Sequence, residues 1–373
     1  MILPSSCDIV ILGLTITSSW GNGHATTYRA LVKELSARGH SVLFLERDMP
    51  WYAMHRDLCE PPYGRTELYS SMMELKDRYT SAIQSAEVVI VGSFVPEGVA
   101  VGEWVTHTAN GIAAFYDIDT PVTLGKLLRR QYEYLTPNLI PRYDLYLSFA
   151  GGPILEILEH VYGSPLARPL YCSVDPDSYY PEERKRVFDL GYMGTYSEDR
   201  QEALERLMLM PARELTEGKF IVAGPKYPDV ASWPPNVVHR EHVSPSMHRE
   251  FYCSQRFTLN ITRADMVQSG YAPSVRLFEA AACGTPIISD YWEGLSEFFT
   301  FGDEILLGST PEDTLKYLSG ISEEERRSIG ERARKRVLSA HTSAHRAQEL
   351  EYYIAEAMKK RESFSKPKLC RRA

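Results

Sequence analysis

The sequence lacks the features that mark membrane, secreted and zinc-binding proteins. No apolar run approaches the length of a membrane-spanning helix, and the apolar segment 9–16 has neither the basic leader nor the cleavage pattern of a signal peptide. The six cysteines are scattered, with no CxxC pair and no spacing typical of zinc ligands. We therefore expect a cytoplasmic protein with reduced thiols and no bound metal.

An excess of positive charge is also missing. The net charge of -8 gives no general attraction to nucleic acid or to an anionic membrane, so nucleic acid is a disfavoured partner. There is no internal repeat and no low-complexity block. The 44% hydrophobic and 24% charged residues are typical of a packed soluble enzyme, and 373 residues suit two domains.

Short apolar runs alternate with helical stretches along most of the chain, which predicts α/β domains with parallel sheets. A polar, proline-containing segment at 174–186 is the predicted linker. The domains are therefore placed at 1–173 and 187–340, followed at 341–373 by a C-terminal helix that crosses back to the first domain and by a basic tail. The strands are predicted at 9–14, 41–45, 87–91, 111–116 and 144–149 in the first domain, and at 188–192, 220–223, 237–241, 257–261 and 286–289 in the second.

The segment 269–279, SGYAPSVRLFE, combines a glycine-containing loop with a helix that we expect to begin near Pro273. Free amides at a helix amino terminus bind anions, so Ser274 and the neighbouring amides, including that of Val275, could hold a phosphate. Arg276 would add a guanidinium, and the Glu279 carboxylate could accept the hydroxyls of a ribose. The alternative is a buried helix on which Arg276 and Glu279 simply pair with each other.

The segments FEAAACGTPIIS and GDEILLGSTPEDTLKYL resemble the donor-binding module of the GT-B glycosyltransferases, in particular the family-four group and the CgeB-like spore-maturation proteins. The resemblance covers most of residues 188–350. It implies two Rossmann-like domains facing across a cleft, the first binding the acceptor and the second the nucleotide-sugar. It also implies that Glu279 binds the donor ribose and that Ser274 and Arg276 face its diphosphate. The second acidic residue of the retaining pattern is replaced here by Tyr271.

Further donor ligands are expected where other strands end, because ligands of open parallel sheets bind at the carboxyl ends of the strands. Each of these residues also has a plain structural alternative, such as a helix cap or a solvated side chain. The candidates in the second domain are Gly194, Thr195, Tyr196, Lys226, Asn260 and Arg263, and the candidate in the first is Gly23.

A histidine in the first βα loop is the candidate catalytic base. Several inverting GT-B enzymes use a histidine at such a position, and His24 stands there in this chain. Histidine titrates near neutral pH but needs a carboxylate to fix its tautomer, which either Asp117 or Asp119 could supply. The alternatives are a packed histidine and an aspartate that caps the following helix. Residues 46–48 with Trp51 and Tyr52 could form an acceptor platform.

These features predict a metal-independent glycosyltransferase that uses no cofactor and moves a sugar from a nucleotide-diphosphate-sugar to an acceptor hydroxyl, with inversion favoured over retention. A UDP-sugar is the first expectation for the donor, while the acceptor and the oligomeric state stay open. The alternatives are a nucleotide-sugar epimerase or hydrolase of the same fold, a non-catalytic sugar-nucleotide-binding maturation protein, and a DNA-modifying sugar transferase.

Overall fold

The protein is described by a computed structural model that covers residues 6–21, 23–228 and 230–365. The chain divides into two compact units. The first combines the chain up to Tyr171 with the segment from Ala344 onward, and the second is Cys172–Ser343. No helix in the described residues is long and apolar enough to cross a membrane. The basic tail was expected from residue 361 onward; residues 361–365 belong to the last helix instead, and the rest of the tail lies outside the described residues.

The first unit contains a parallel sheet of seven described strands in the order β3-β2-β1-β4-β5-β6-β7. The central strand β4 reads VVIVG and is buried at every position, as expected for a strand with helices on both faces. The strands are β1 Asp8–Gly13, β2 Ser41–Arg47, β3 Arg65–Tyr69, β4 Val88–Gly92, β5 Ile112–Asp117, β6 Leu145–Ser148 and β7 Ala167–Pro169. The helices are α1 His24–Ala37, α2 Pro50–Ala53, α3 Met72–Ser85, α4 Gly98–Thr108, α5 Thr120–Leu128 and α6 Pro153–Glu156.

The second unit repeats this plan with a parallel sheet of six described strands in the order β10-β9-β8-β11-β12-β13. The strands are β8 Phe188–Met193, β9 Phe220–Ala223, β10 Val237–Arg240, β11 Gln255–Asn260, β12 Ile287–Ser289 and β13 Leu306–Leu307. The helices are α7 Gln201–Leu204, α8 Met210–Glu214, α9 Pro245–Cys253, α10 Ala264–Ser269, α11 Val275–Ala282, α12 Leu295–Phe298, α13 Pro311–Gly320 and α14 Glu323–Ala340.

The last helix, α15 Ser343–Ser365, packs on the first unit. Its buried Leu350 and Ile354 join the apolar core of that unit. The carboxylate of Glu351 accepts hydrogen bonds from Arg38, at 2.6 Å, and from His40, at 2.9 Å. The helix α15 is therefore part of the first unit, although the second unit precedes it in the sequence.

Three strands of the structure, β3, β7 and β13, were not predicted from the sequence. The strand β3 lies at a sheet edge and reads RTELY, which has no apolar run. The strand β7 lies at the other edge and contains Pro169, and proline is tolerated in a sheet mainly at its edges. Edge strands are covered less completely than central ones, so their sequences need not be apolar.

Every strand pair in both sheets is parallel. The carboxyl ends of the strands of one sheet therefore meet at one edge, where the loops that carry the candidate residues begin.

Candidate functional site

In the first unit, His24 is the first residue of α1 and lies against Asp119. Its Nε2 is 2.7 Å from Oδ2 of Asp119. A carboxylate can only accept, so Nε2 carries the proton of the neutral imidazole and Nδ1 carries the lone pair. This Nδ1 is buried and has no hydrogen-bond partner among the described residues. Asp119 thus fixes the tautomer of His24 through Nε2. The basic nitrogen, Nδ1, remains available to accept a proton.

The second candidate carboxylate, Asp117, does not contact His24. It is fully buried at the end of β5, where it accepts hydrogen bonds from Tyr146 at 2.6 Å, from Thr123 at 2.8 Å and from the amide of Asp119 at 3.2 Å. Neither aspartate caps α5 through its side chain, contrary to the alternative expectation. The structure thus places Asp119 against the histidine and Asp117 behind it, holding the turn.

Burial raises the pKa of Asp117 to about 6, although the hydrogen bonds from Tyr146 and Thr123 oppose this. The carboxyl loses its proton more readily in the unfolded chain, so the native state is favoured below the ordinary aspartate pKa and loses relative stability as the pH rises through 6. We expect the free energy of unfolding of the first unit to fall, relative to Asp117→Asn, by about 2 kcal/mol between pH 4 and 7. Urea unfolding across this range measures the difference; a difference independent of pH would contradict the prediction.

The loop before His24 is held by a buried carboxylate that the sequence did not single out for this role. Glu46, at the end of β2, accepts from the amides of Ile16 and Thr17 at 2.7 and 3.0 Å, and from the Thr17 hydroxyl at 2.6 Å. Asp57 accepts from the amide and the hydroxyl of Ser19 in this loop, at 2.8 and 2.9 Å, and from Arg29 of α1 through two hydrogen bonds of 2.8 and 2.9 Å. The loop is thereby tied to the sheet and to α1.

The predicted acceptor platform at 46–48 and 51–52 is wrong for several of its members. Glu46 is fully buried, and Tyr52 is also buried. Arg47 and Asp48 form ion pairs with Glu97 and Arg56. Trp51 remains exposed, and so does Trp20, whose ring stacks on that of His55 at a centroid distance of 4.6 Å. Strand ends can be buried by the loops that follow them, which the sequence pattern does not reveal.

Gly23, the other first-unit candidate, precedes α1 directly. A Cβ at Gly23 or at Gly21 would meet nothing within 4 Å, so the backbone here faces open space. This loop can admit a ligand close to the amino terminus of α1.

In the second unit, Asn260 organises the carboxyl edge of the sheet. Its Oδ1 accepts from the Ser274 hydroxyl at 2.8 Å and from Nη1 of Arg276 at 2.6 Å, while its amide nitrogen donates to Ser289 at 2.9 Å. Nε of Arg276 donates to the carbonyl of Met193 at 2.6 Å. The helix α11 begins at Val275, two residues later than expected, because Ser274 keeps an extended backbone before it. The first amides of α11 lack an earlier turn to bond to.

Two further arginines lie near Arg276. Arg200 has a pKa below the ordinary arginine value, because it is largely buried and because Arg276 and Arg263 place positive charge nearby. None of the three forms an ion pair within the described part of the chain, and Arg200 donates instead to the carbonyl of Thr195. The negative charges of Asp199 and Asp290 act on this group, Asp199 on Arg200 and Arg263 and Asp290 on Arg276. Arg200 was not selected from the sequence, because a helix-start arginine usually points into solvent. A cationic group of this kind can hold a diphosphate.

Glu279 lies one turn into α11 and is buried. Its Oε2 accepts from the Tyr252 hydroxyl at 2.9 Å and lies 3.8 Å from Nδ1 of His248. Arg276 and Glu279 therefore do not pair with each other, and that alternative is wrong. The ribose role of Glu279 stays a prediction.

The loop after β8 lies against the loop after β9. The amide of Tyr196 donates to the carbonyl of Pro225 at 3.0 Å. A Cβ at Gly194 would stand 2.5 Å from the Tyr192 hydroxyl and 3.3 Å from Arg200, so only glycine fits without displacing them. Thr195, Lys226 and Arg263 are exposed at this edge.

Tyr271, at the position where the resembled pattern has an acid, adopts a left-handed backbone with φ of 49°. Its ring packs so closely on Gly294 that a Cβ there would lie 2.5 Å from a ring carbon. Such a conformation is unusual for a large side chain and persists only where surrounding contacts hold it. The described residues contain no group of three side chains suited to a metal ion.

One family model and several solved structures are similar to this chain. Residues 200–352 match the family model described as glycosyl transferase-like. No curated protein sequence matches the chain significantly. The predicted resemblance to glycosyltransferases is confirmed, whereas the narrower likeness to CgeB-like proteins is not tested by this match.

Solved structures share the fold over nearly the whole chain. Sucrose-phosphate synthase from Thermosynechococcus elongatus covers 96% of this chain and 100% of its own, with 14% identity and a TM-score of 0.66. HepE from Anabaena, in complex with UDP and glucose, covers 94% and 100%, with 11% identity and a TM-score of 0.70. An alpha-glucosyltransferase in complex with UDP and a 13-mer DNA covers 94% and 100%, with 13% identity and a TM-score of 0.69. The predicted α/β fold of GT-B type, with two Rossmann-like domains, is confirmed.

Proposed function

From the GT-B fold and the glycosyl transferase-like match of residues 200–352, we propose that the protein transfers a sugar from a nucleotide-diphosphate-sugar to an acceptor hydroxyl. The observation that carries this proposal is the cationic group of Arg200, Arg263 and Arg276 at the carboxyl edge of the second sheet. It supplies the positive charge that a leaving diphosphate requires, and preorganised donors of this kind are a large source of rate enhancement.

In this proposal the second unit holds the donor. Arg276 and Arg200 bind the diphosphate, together with Ser274 and the first amides of α11, and Glu279 binds the ribose. We take UDP as the nucleotide, because HepE and the alpha-glucosyltransferase were solved with UDP. Arginine side chains and helix amides stabilise the leaving group, so the reaction needs no metal and no cofactor.

The first unit supplies the base. Nδ1 of His24 takes the proton of the acceptor hydroxyl as the oxygen attacks the anomeric carbon, and Asp119 stabilises the imidazolium that forms. The bond from the anomeric carbon to the diphosphate breaks, and the nucleotide diphosphate leaves. A single displacement of this kind inverts the anomeric centre. We also propose a cytoplasmic location, because Cys7, Cys59, Cys253 and Cys283 are present as thiols.

A two-stage experiment tests the function. The melting temperature is measured with a panel of nucleotides and nucleotide-sugars, and UDP and UDP-sugars are expected to raise it by mass action. The stabilising donor is then incubated with candidate acceptors, with and without a chelator, and the anomeric configuration of the product is read by NMR. Absence of stabilisation by every nucleotide would overturn the donor site, retention would remove the base role of His24, and loss of turnover with the chelator would contradict metal independence.

The same assay separates the other functions. An epimerase or hydrolase would consume the donor without an acceptor. A non-catalytic binding protein would be stabilised by the nucleotide, would turn over nothing, and would be unaffected in its binding by replacement of His24. Consumption of donor only when an acceptor is present is the result expected here.

A further inference from the structure

A second cavity of the second unit lies at the opposite edge of its sheet from the proposed donor site. Its volume is about 540 Å³. It is lined by Arg186, two residues before β8, by Cys253, two residues before β11, and by Thr285, two residues before β12. These positions are at the amino ends of parallel strands, whereas Arg276 and Asn260 lie at the carboxyl ends. The two sites are therefore separate.

Four arginines that line this cavity have guanidinium groups with few hydrogen-bond or ion-pair partners in the described residues: Arg186, Arg326, Arg327 and Arg334. Arg326 is 1% exposed; its Nε donates to Glu323 at 2.9 Å, but its Nη2 is buried with no hydrogen-bond partner in the described residues. Arg334 donates through Nε to the carbonyl of Ala282 at 3.1 Å. Arg186 and Arg327 form no ion pair within the described ranges.

The charges of these arginines act on one another. The pKa of Arg186 is below its ordinary value, first because its guanidinium is partly desolvated and then because of the positive charges of Arg326 and Arg327. Three acidic residues line the cavity, and one of them, Glu182, already forms ion pairs with Arg184 and Arg249. Glu183 and Glu331 remain to balance the charge of the four arginines. The positive charge around the cavity is only partly compensated.

The wall of the cavity is closely packed. A Cβ at Gly330 of α14 would lie 2.2 Å from the carbonyl oxygen of Gly284, so the helix backbone touches the turn between α11 and β12. Gly284 itself has a φ of +67°, which favours glycine. The helix that carries Arg326, Arg327 and Arg334 is thus packed against the turn that leads into β12.

We propose that this cavity is a second anion site that takes a phosphorylated small molecule. The guanidinium is a planar fork that matches phosphate geometry, and Arg186, Arg327 and Arg334 in the lining offer three such forks to one ligand. The volume lies within the range of small-molecule sites and leaves room for an organic group beyond the phosphate. A ligand here does not compete with the donor, because it occupies the other edge of the sheet.

Calorimetric titration of the full chain tests this site, with glucose 6-phosphate and inorganic phosphate as probes at constant ionic strength. The Arg186→Gln, Arg327→Gln double variant changes exposed side chains and avoids the buried Arg326. We expect it to raise the Kd for glucose 6-phosphate by about 10- to 100-fold. Lys335→Gln, at an exposed position on α14 outside the cavity, is the matched control and should leave the Kd unchanged.

UDP is titrated in parallel, and Arg276→Ala should weaken UDP binding without changing the Kd for glucose 6-phosphate. Three results would overturn the proposal: no saturable binding of glucose 6-phosphate to the wild type, an unchanged Kd in the double variant, or a loss of binding caused by Arg276→Ala instead. Equal affinity for both probes would assign the site to a free anion and also overturn it. A failure of the donor proposal would appear only in the UDP titration.

Discussion

Replacing His24 by alanine is expected to lower kcat for sugar transfer by about 100- to 10,000-fold, the usual contribution of a general base. The uncommitted Nδ1 is the only nitrogen of this ring that can take a proton while Nε2 donates to Asp119. The Kd of the donor should stay within about twofold, because the proposed donor ligands lie in the second unit. Steady-state kinetics with the identified donor and acceptor, together with donor titration, measure both quantities.

Two further variants make the result specific. Asp119→Asn keeps the size of the side chain but has no charge to stabilise the imidazolium, and its amide can donate to Nε2 and favour the other tautomer, so kcat should fall while donor affinity is retained. His107→Ala, at an exposed position late in α4, is the control and should leave kcat unchanged. A His24→Ala protein that retained wild-type kcat with intact donor binding would exclude the histidine as the base.

Replacing Arg276 by alanine is expected to raise the Kd for UDP by about 10- to 100-fold, because a hydrogen bond between charged groups is removed. The guanidinium is already oriented by Asn260 and by the carbonyl of Met193, so little ordering is needed when the diphosphate binds. Arg276→Lys retains the positive charge but not the planar, two-pronged donor geometry of the guanidinium. Its Kd for UDP should therefore lie between those of the wild type and Arg276→Ala. Isothermal titration with UDP gives the three values.

Lys316→Ala removes a positive charge from the surface of the same unit and is the matched control. Its Kd for UDP should equal that of the wild type. Because Arg276 also bonds within the protein, the melting temperature of each unliganded variant is measured first. Unchanged UDP binding by a folded Arg276→Ala protein would remove Arg276 from the donor site.

The sequence predicts the central strands of both sheets well, because these strands must be apolar on both faces. The residues of β4 are apolar throughout, and β9 was predicted with the bounds that it has in the structure. The polar edge strand β3 and the proline-containing β7 could not be found in this way. Their place depends on pairing with a neighbour, which no local pattern encodes.

The candidate site shows the same limit. Strand alternation places Asp117 and Asp119 on one side, but β5 ends at Asp117 and Asp119 already belongs to the turn into α5. The two carboxylates therefore have different surroundings, one sealed in the core and one beside His24. Arg200 reaches its position only because the loop after β8 folds against the one after β9. The buried role of Glu46 likewise depends on a loop that is distant in sequence.

The burial of Nδ1 in His24 bears on how a transferase avoids wasting its donor. A base open to the solvent would deprotonate water as readily as an acceptor, and the nucleotide-sugar would be hydrolysed. Here the basic nitrogen is out of reach of bulk water. In the proposed reaction the acceptor must therefore open access to Nδ1 as it binds, and this requirement suppresses transfer of the sugar to water.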